Sequence, residues 1–83
     1  MEAKNWVKFE FPSESVNVLF ARTAIAMFAS QLDFTLEDIE DIKVAVSEAV
    51  SNCVIHAYRN SYGTIVLSAQ YSESEIVITV EDF

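Results

Sequence analysis

A chain of 83 residues has room for one domain or a piece of one, and it buries only a little over ~60% of the surface its unfolded form exposes. Thirteen acidic residues against five basic ones leave a net charge of −8, which repels phosphate backbones and anionic lipid and argues against direct nucleic-acid or membrane partners. Hydrophobic residues make up 52%, with no run near the ~20 needed to cross a bilayer, no signal peptide in Met1-Glu2-Ala3-Lys4-Asn5 and a single cysteine, Cys53; the expectation is a cytoplasmic, thin-cored chain with apolar surface to spare for a partner or for further chain.

Val7, Phe9 and Phe11 alternate with Lys8 and Glu10, the period of a half-buried strand, and Pro12 ends it. Ser13 and Glu14 offer a helix start. Val16, Leu19, Phe20, Ile25, Met27 and Phe28 then predict a helix from Val16 to Leu32 with one broad buried side. Asp33-Phe34 breaks that pattern. Thr35 followed three places on by Asp38 is a capping-box arrangement, and Glu37 and Asp38 suit the positive end of a helix dipole. A second helix is therefore expected from Leu36 to about Tyr58.

Asn60-Ser61-Tyr62-Gly63 reads as a turn. Ile65, Leu67, Ala69 and Tyr71 alternate with Val66, Ser68 and Gln70, Ser72-Glu73-Ser74 is a hairpin connection, and Ile76, Ile78 and Val80 alternate with Val77, Thr79 and Glu81. The expected order is β-α-α-β-β, an α+β two-layer sandwich with both helices on one face of a small sheet. The last strand closes on Glu81-Asp82-Phe83 without a turn or polar tail, so the expectation is that residues 1–83 are the N-terminal part of a longer single domain.

On the second helix, at about 100° per residue, Ile39, Ile42, Val46, Ala49, Val50, Cys53 and Ala57 form one apolar stripe, which predicts a buried, inert Cys53 thiol. Glu48 and Asn52, four apart, stand together on nearly the opposite side. Val44, Ala45 and Ile55 flank them where a solvated face would carry polar residues, as in the wall of a cleft. A carboxylate within reach of a hydroxyl serves as a general base. A carboxamide oxygen one turn away suits Mg²⁺, a hard cation held by few protein groups plus phosphates, and phosphoryl transfer rests on such positioning and charge neutralisation. The plainer alternative is a solvated pair, since glutamate and asparagine on a helix face are most often only exposed. His56, near the same side, has the same two readings, and spacing does not decide between them.

The run Val46-Ser47-Glu48-Ala49-Val50-Ser51-Asn52-Cys53-Val54-Ile55-His56-Ala57-Tyr58 resembles the N box of the GHKL (Bergerat-fold) ATPases and kinases. Within that superfamily it is most similar to the anti-sigma serine kinases of spore-forming bacteria. The likeness extends through Phe20-Ala21-Arg22-Thr23, Ala29-Ser30-Gln31-Leu32-Asp33, Ile42-Lys43 and Val80-Glu81-Asp82, nearly the whole chain. The resemblance implies a partial Bergerat fold that binds ATP and Mg²⁺. It implies Glu48 as the base that activates a serine hydroxyl, Asn52 as the Mg²⁺ ligand, His56 as a nucleotide-site residue and Asp82 as the acceptor for the adenine amino group. Arg22 matches an arginine used in partner contact. The partners implied are a sigma factor, held inactive, and an anti-anti-sigma factor, phosphorylated on a serine.

Two departures go with the resemblance. Ala57 stands where the family usually has glycine, and the glycines that should follow Asp82, the lid and the second glycine-rich box are absent from these 83 residues. Those segments supply backbone N–H groups to the phosphates, so the expectation is a kinase parent and weak or no ATP binding by this chain alone. A non-catalytic module that docks a partner through the first helix and Arg22 is the alternative from a different class, and the general-stress anti-sigma kinases share the N box. A bare sheet edge further implies pairing with a second copy, as a homodimer.

Overall fold

A computed structural model of the chain describes residues 3–60, 63–73 and 75–83. Its elements are β1 (Asn5–Pro12), α1 (Asn17–Ala29), α2 (Leu36–Asn60), β2 (Thr64–Tyr71) and β3 (Ile76–Asp82). The β-α-α-β-β order holds. The strands form one antiparallel sheet with β2 in the centre. Of the two connections read from the sequence, Ser61, Tyr62 and Ser74 lie outside the described residues. The β2–β3 hairpin is closed by the Ser72 N–H donating to the Glu75 carbonyl at 3.0 Å.

Register decides which side chains meet the helices. Val7, Ala69 and Ile78 lie side by side, as do Phe9, Leu67 and Val80, and then Phe11, Ile65 and Asp82. Side chains alternate between faces along a strand, so these rows share one face. That face carries the core: Phe11, Ile65, Leu67 and Ala69 are buried against Ile25 and Phe28 of α1 and Val46 and Val50 of α2. The opposite face presents Trp6, Lys8, Glu10, Gln70, Val77, Thr79 and Glu81 to solvent. Val66 is buried there despite its outward register.

The Thr35–Asp38 capping box forms as expected. The Thr35 N–H donates to the Asp38 carboxylate at 3.0 Å and the Asp38 N–H donates to the Thr35 hydroxyl at 3.1 Å. The first helix departs from expectation in three ways. It begins at Asn17 after Val16, with no side-chain cap, so Ser13 is not its start. It ends at Ala29 because the next N–H groups turn back tightly, from Gln31 to Phe28 and from Leu32 to Ala29. Its buried side is Ala21, Ile25, Phe28 and Ala29, while Val16, Leu19, Phe20 and Met27 are exposed.

The site end of the molecule is fastened at Gly63. Its carbonyl accepts from the Ser13 N–H at 3.0 Å, and the next residue, Thr64, exchanges backbone hydrogen bonds with Phe83 at 2.9 and 3.1 Å. A Cβ on Gly63 would stand 2.9 Å from the Ala57 methyl and 3.0 Å from the Ser13 hydroxyl oxygen. Only glycine lets the entry to β2, the ends of β1 and β3 and the last turns of α2 approach this closely.

Candidate functional site

Glu48, Asn52 and His56 follow one another at four-residue steps along α2, so they form a row one turn apart. All three are exposed, as are Val44, Ala45 and Ile55 beside them. Asp82 comes from the other layer. It pairs with Ile65 in the register row that faces the helices, so its side chain rises from the end of β3 toward α2. There the His56 Nδ1 and the Asp82 Oδ2 lie 3.0 Å apart. The helix row and the strand-end carboxylate are thus joined, although His56 and Asp82 are 26 positions apart in sequence.

A cavity of about 310 Å³ opens at this junction, lined by Ser13, Cys53, His56, Ala57, Gly63, Asp82 and Phe83. Glu48 and Asn52 continue the row away from it and are not part of its wall. Cys53 corrects the sequence expectation. It is half-buried and lies at the cavity, not sealed in the core. Burial pushes its thiol pKa above the ordinary value, and the negative charge of the Asp82 carboxylate adds to this. The signal that could have placed it is its spacing, three residues before His56 on the same helix.

A second opening, a shallow groove, runs between Ala45, Val46 and Ala49 of α2 and Ile78 and Val80 of β3. Arg22 is elsewhere, half-buried on α1, and its Nε is shielded from solvent with no hydrogen-bond acceptor among the described residues. Beside it, Val16, Leu19, Phe20, Thr23, Ala24 and Met27 line an apolar surface.

Asn52 offers an exposed carboxamide and Glu48 a carboxylate one turn away, oxygen donors of the kind a hard cation takes alongside phosphates. No group of three or more potential His, Cys, Asp or Glu metal ligands occurs among the described residues, so a cation here would depend on oxygen from its own ligand. No helix among the described residues is long and apolar enough to cross a membrane.

The sequence that folds into this α+β arrangement matches known proteins. Residues 11–83 match the histidine kinase-like ATPase domain, and the chain belongs to that family. Among curated relatives it is 52% identical over 82 residues to an anti-sigma F factor of Caldanaerobacter subterraneus subsp. tengcongensis, an alignment covering 99% of this chain and 57% of the relative. An anti-sigma F factor of Thermoanaerobacter sp. (strain X514) matches over the same shares at 52% identity. One from Clostridium kluyveri (strain ATCC 8527) is 47% identical over 78 residues, 94% of this chain and 55% of the relative. The chain therefore spans a little over half the length of these relatives.

Proposed function

We propose that this chain supplies the base, the metal ligand and the adenine contact of an ATP-dependent serine-kinase site in a cytoplasmic anti-sigma factor. The observation that carries this reading is the meeting of the Glu48–Asn52–His56 row with Asp82 through the 3.0 Å His56–Asp82 contact. Glu48, exposed at the far end of the row, takes the proton of a serine hydroxyl presented by a protein substrate. Asn52, between Glu48 and His56, holds Mg²⁺, which when bound neutralises phosphate charge. Asp82, at the cavity, accepts from the amino group of adenine. The one glycine in the chain, Gly63, is fixed into the cavity wall and does not belong to a phosphate-cradling loop. On this reading the 83 residues alone bind Mg·ATP weakly.

Relatives named anti-sigma F factor support a sigma factor as the partner held inactive, and an anti-anti-sigma factor as the serine substrate is what the N-box resemblance implies. The exposed apolar side of α1 and Arg22 on the same helix, half-buried with an unpartnered Nε among the described residues, support α1 as a protein-docking surface. A second reading, a docking module without catalysis, draws on the same surface and on the position of Glu48 and Asn52 outside the cavity wall.

A graft separates the two readings. With this chain in place of the matching 82 residues of the Caldanaerobacter relative, labelled phosphate is expected to pass from ATP to a serine of the anti-anti-sigma protein. Glu48→Gln is expected to slow transfer by about 10²–10⁴-fold while leaving Mg·ATP binding intact. Transfer indifferent to Glu48→Gln refutes the base assignment, and a graft that binds its partner but transfers no phosphate favours the docking module.

A further inference from the structure

We propose that the outer edge of β3 pairs antiparallel with the same edge of a second copy of this chain, about a two-fold axis at Thr79, while the edge of β1 is closed to such pairing. The proposal names the surface for self-association and stands apart from the nucleotide reading above.

The phase of the sheet decides which backbone groups face outward. In an antiparallel pair, alternate residues turn their N–H and C=O toward the neighbouring strand and the residues between turn theirs away. The Ser13 N–H donates to Gly63, so along β1 Phe11, Phe9 and Val7 turn toward β2 and Pro12, Glu10, Lys8 and Trp6 turn outward. Pro12 has no N–H to offer. The Trp6 N–H is already taken by the Asn5 side-chain oxygen at 2.9 Å. Between them stand Lys8 and Glu10, charged and exposed. These are the devices that blunt a sheet edge.

The edge of β3 carries a different set. Thr64 and Phe83 exchange hydrogen bonds and the Ser72 N–H donates to Glu75. In that phase Ile76, Ile78, Val80 and Asp82 turn their N–H and C=O away from β2, to a side where no strand lies among the described residues. Their side chains are on the helix face, where Ala45 and Ala49 leave a shallow groove beside Ile78 and Val80. A strand laid along β3 therefore meets both hydrogen-bonding groups and apolar surface.

This edge is complementary to itself. The antiparallel register centred on Thr79 is the one that pairs all four outward residues with one another, Ile78 with the partner's Val80 and Ile76 with the partner's Asp82. It sets Thr79 against Thr79 and Val77 against Glu81, so no acidic residue of β3 meets another across the seam. In a chain of net charge −8 that condition decides whether copies can approach. The contact uses the same patch on both copies and closes at two, because the blunted β1 edges do not extend it.

Disulfide trapping in a Cys53→Ser background tests the register. Thr79 and Val77 are both exposed, so substitution at either leaves the core intact. Thr79→Cys is expected to give covalent dimers under mild oxidation at tens of micromolar, because directly opposed residues of this kind have Cα atoms about 4.5 Å apart. Val77→Cys stands about 13 Å from its counterpart in this register and is expected to stay unlinked, as is Lys8→Cys on β1. A second measurement needs no cysteine. Thr79→Lys and Thr79→Glu each oppose like charges and are expected to weaken the dimer about fivefold in light scattering, and mixing the two variants restores it. Equal linking at Thr79→Cys and Val77→Cys, linking at Lys8→Cys, or a mixture no tighter than either variant overturns the proposal. A chain that stays monomeric also overturns it and leaves the β3 edge to a strand from a different protein.

Discussion

At Gly63 the packing of single atoms governs the site. The methyl of Ala57, where the family usually has glycine, occupies space left by the hydrogen of Gly63. Gly63→Ala is expected to cost about 1–3 kcal/mol through overpacking. Ala57→Gly alone costs about 0.5–1 kcal/mol in helix propensity, and the double variant should cost less than the sum of the two, because the clashing methyl is gone. Chemical denaturation of the four proteins checks this, and strict additivity would show that the two residues do not compete for space. Cys53 carries a pH signature. Its folded pKa is raised above the ordinary 9.0, so the stability it contributes is present below that value and lost as pH rises through the folded midpoint. The denaturation midpoint is expected to fall more steeply above pH 9.0 in the unsubstituted chain than in Cys53→Ala, with the other titrating groups shared by both. This residue was only half legible in the sequence. Helical periodicity set it on the apolar stripe, which its neighbours Val50 and Ala57 confirm, but the carboxylate opposite it comes from a strand 29 positions later and no local pattern records that approach.

The elements were legible to the degree that local chemistry fixes them. The Thr35–Asp38 pair specified the start of α2, and both of its hydrogen bonds are present. Thr35→Ala is expected to destabilise the chain by about 1 kcal/mol, read by thermal or urea unfolding, and an unchanged midpoint would show that the cap is dispensable. Alternation likewise specified the strands, and the pairing register put the alternating residues on the helix side. The orientation of α1 could not be read in this way. Its sequence is apolar almost all round, so periodicity marks a helix without choosing a face. Small Ala21 and Ala29 lie on the buried side with Ile25 and Phe28, which lets α1 come close to the rest of the core and turns Val16, Leu19 and Met27 outward. Phe20 lies between, exposed in part yet edge-on to Phe9 and Phe11 at 5.3 and 5.9 Å. The site was legible on α2, where Glu48, Asn52 and His56 share one helix. Its junction with Asp82 follows from the end of the β2–β3 register, a long-range property.

For the whole molecule, β1 and β3 each pair along one edge, and apolar surface is exposed on α1 and beside β3. Unpaired edges and apolar patches favour association, so the chain is expected to form dimers at tens of micromolar by light scattering; a stable monomer there would refute self-pairing. The net charge of −8 should confine partners to neutral or basic protein surfaces. The proposed function depends on the row along α2 and the carboxylate of β3 acting as one nucleotide site. The most direct test is an amide-spectrum titration of the chain with Mg·ATP into the millimolar range, beside Asn52→Ala. The account expects shifts centred on Asn52, Cys53, His56 and Asp82 that disappear in the variant. Shifts elsewhere, or shifts that Asn52→Ala leaves unchanged, would contradict it.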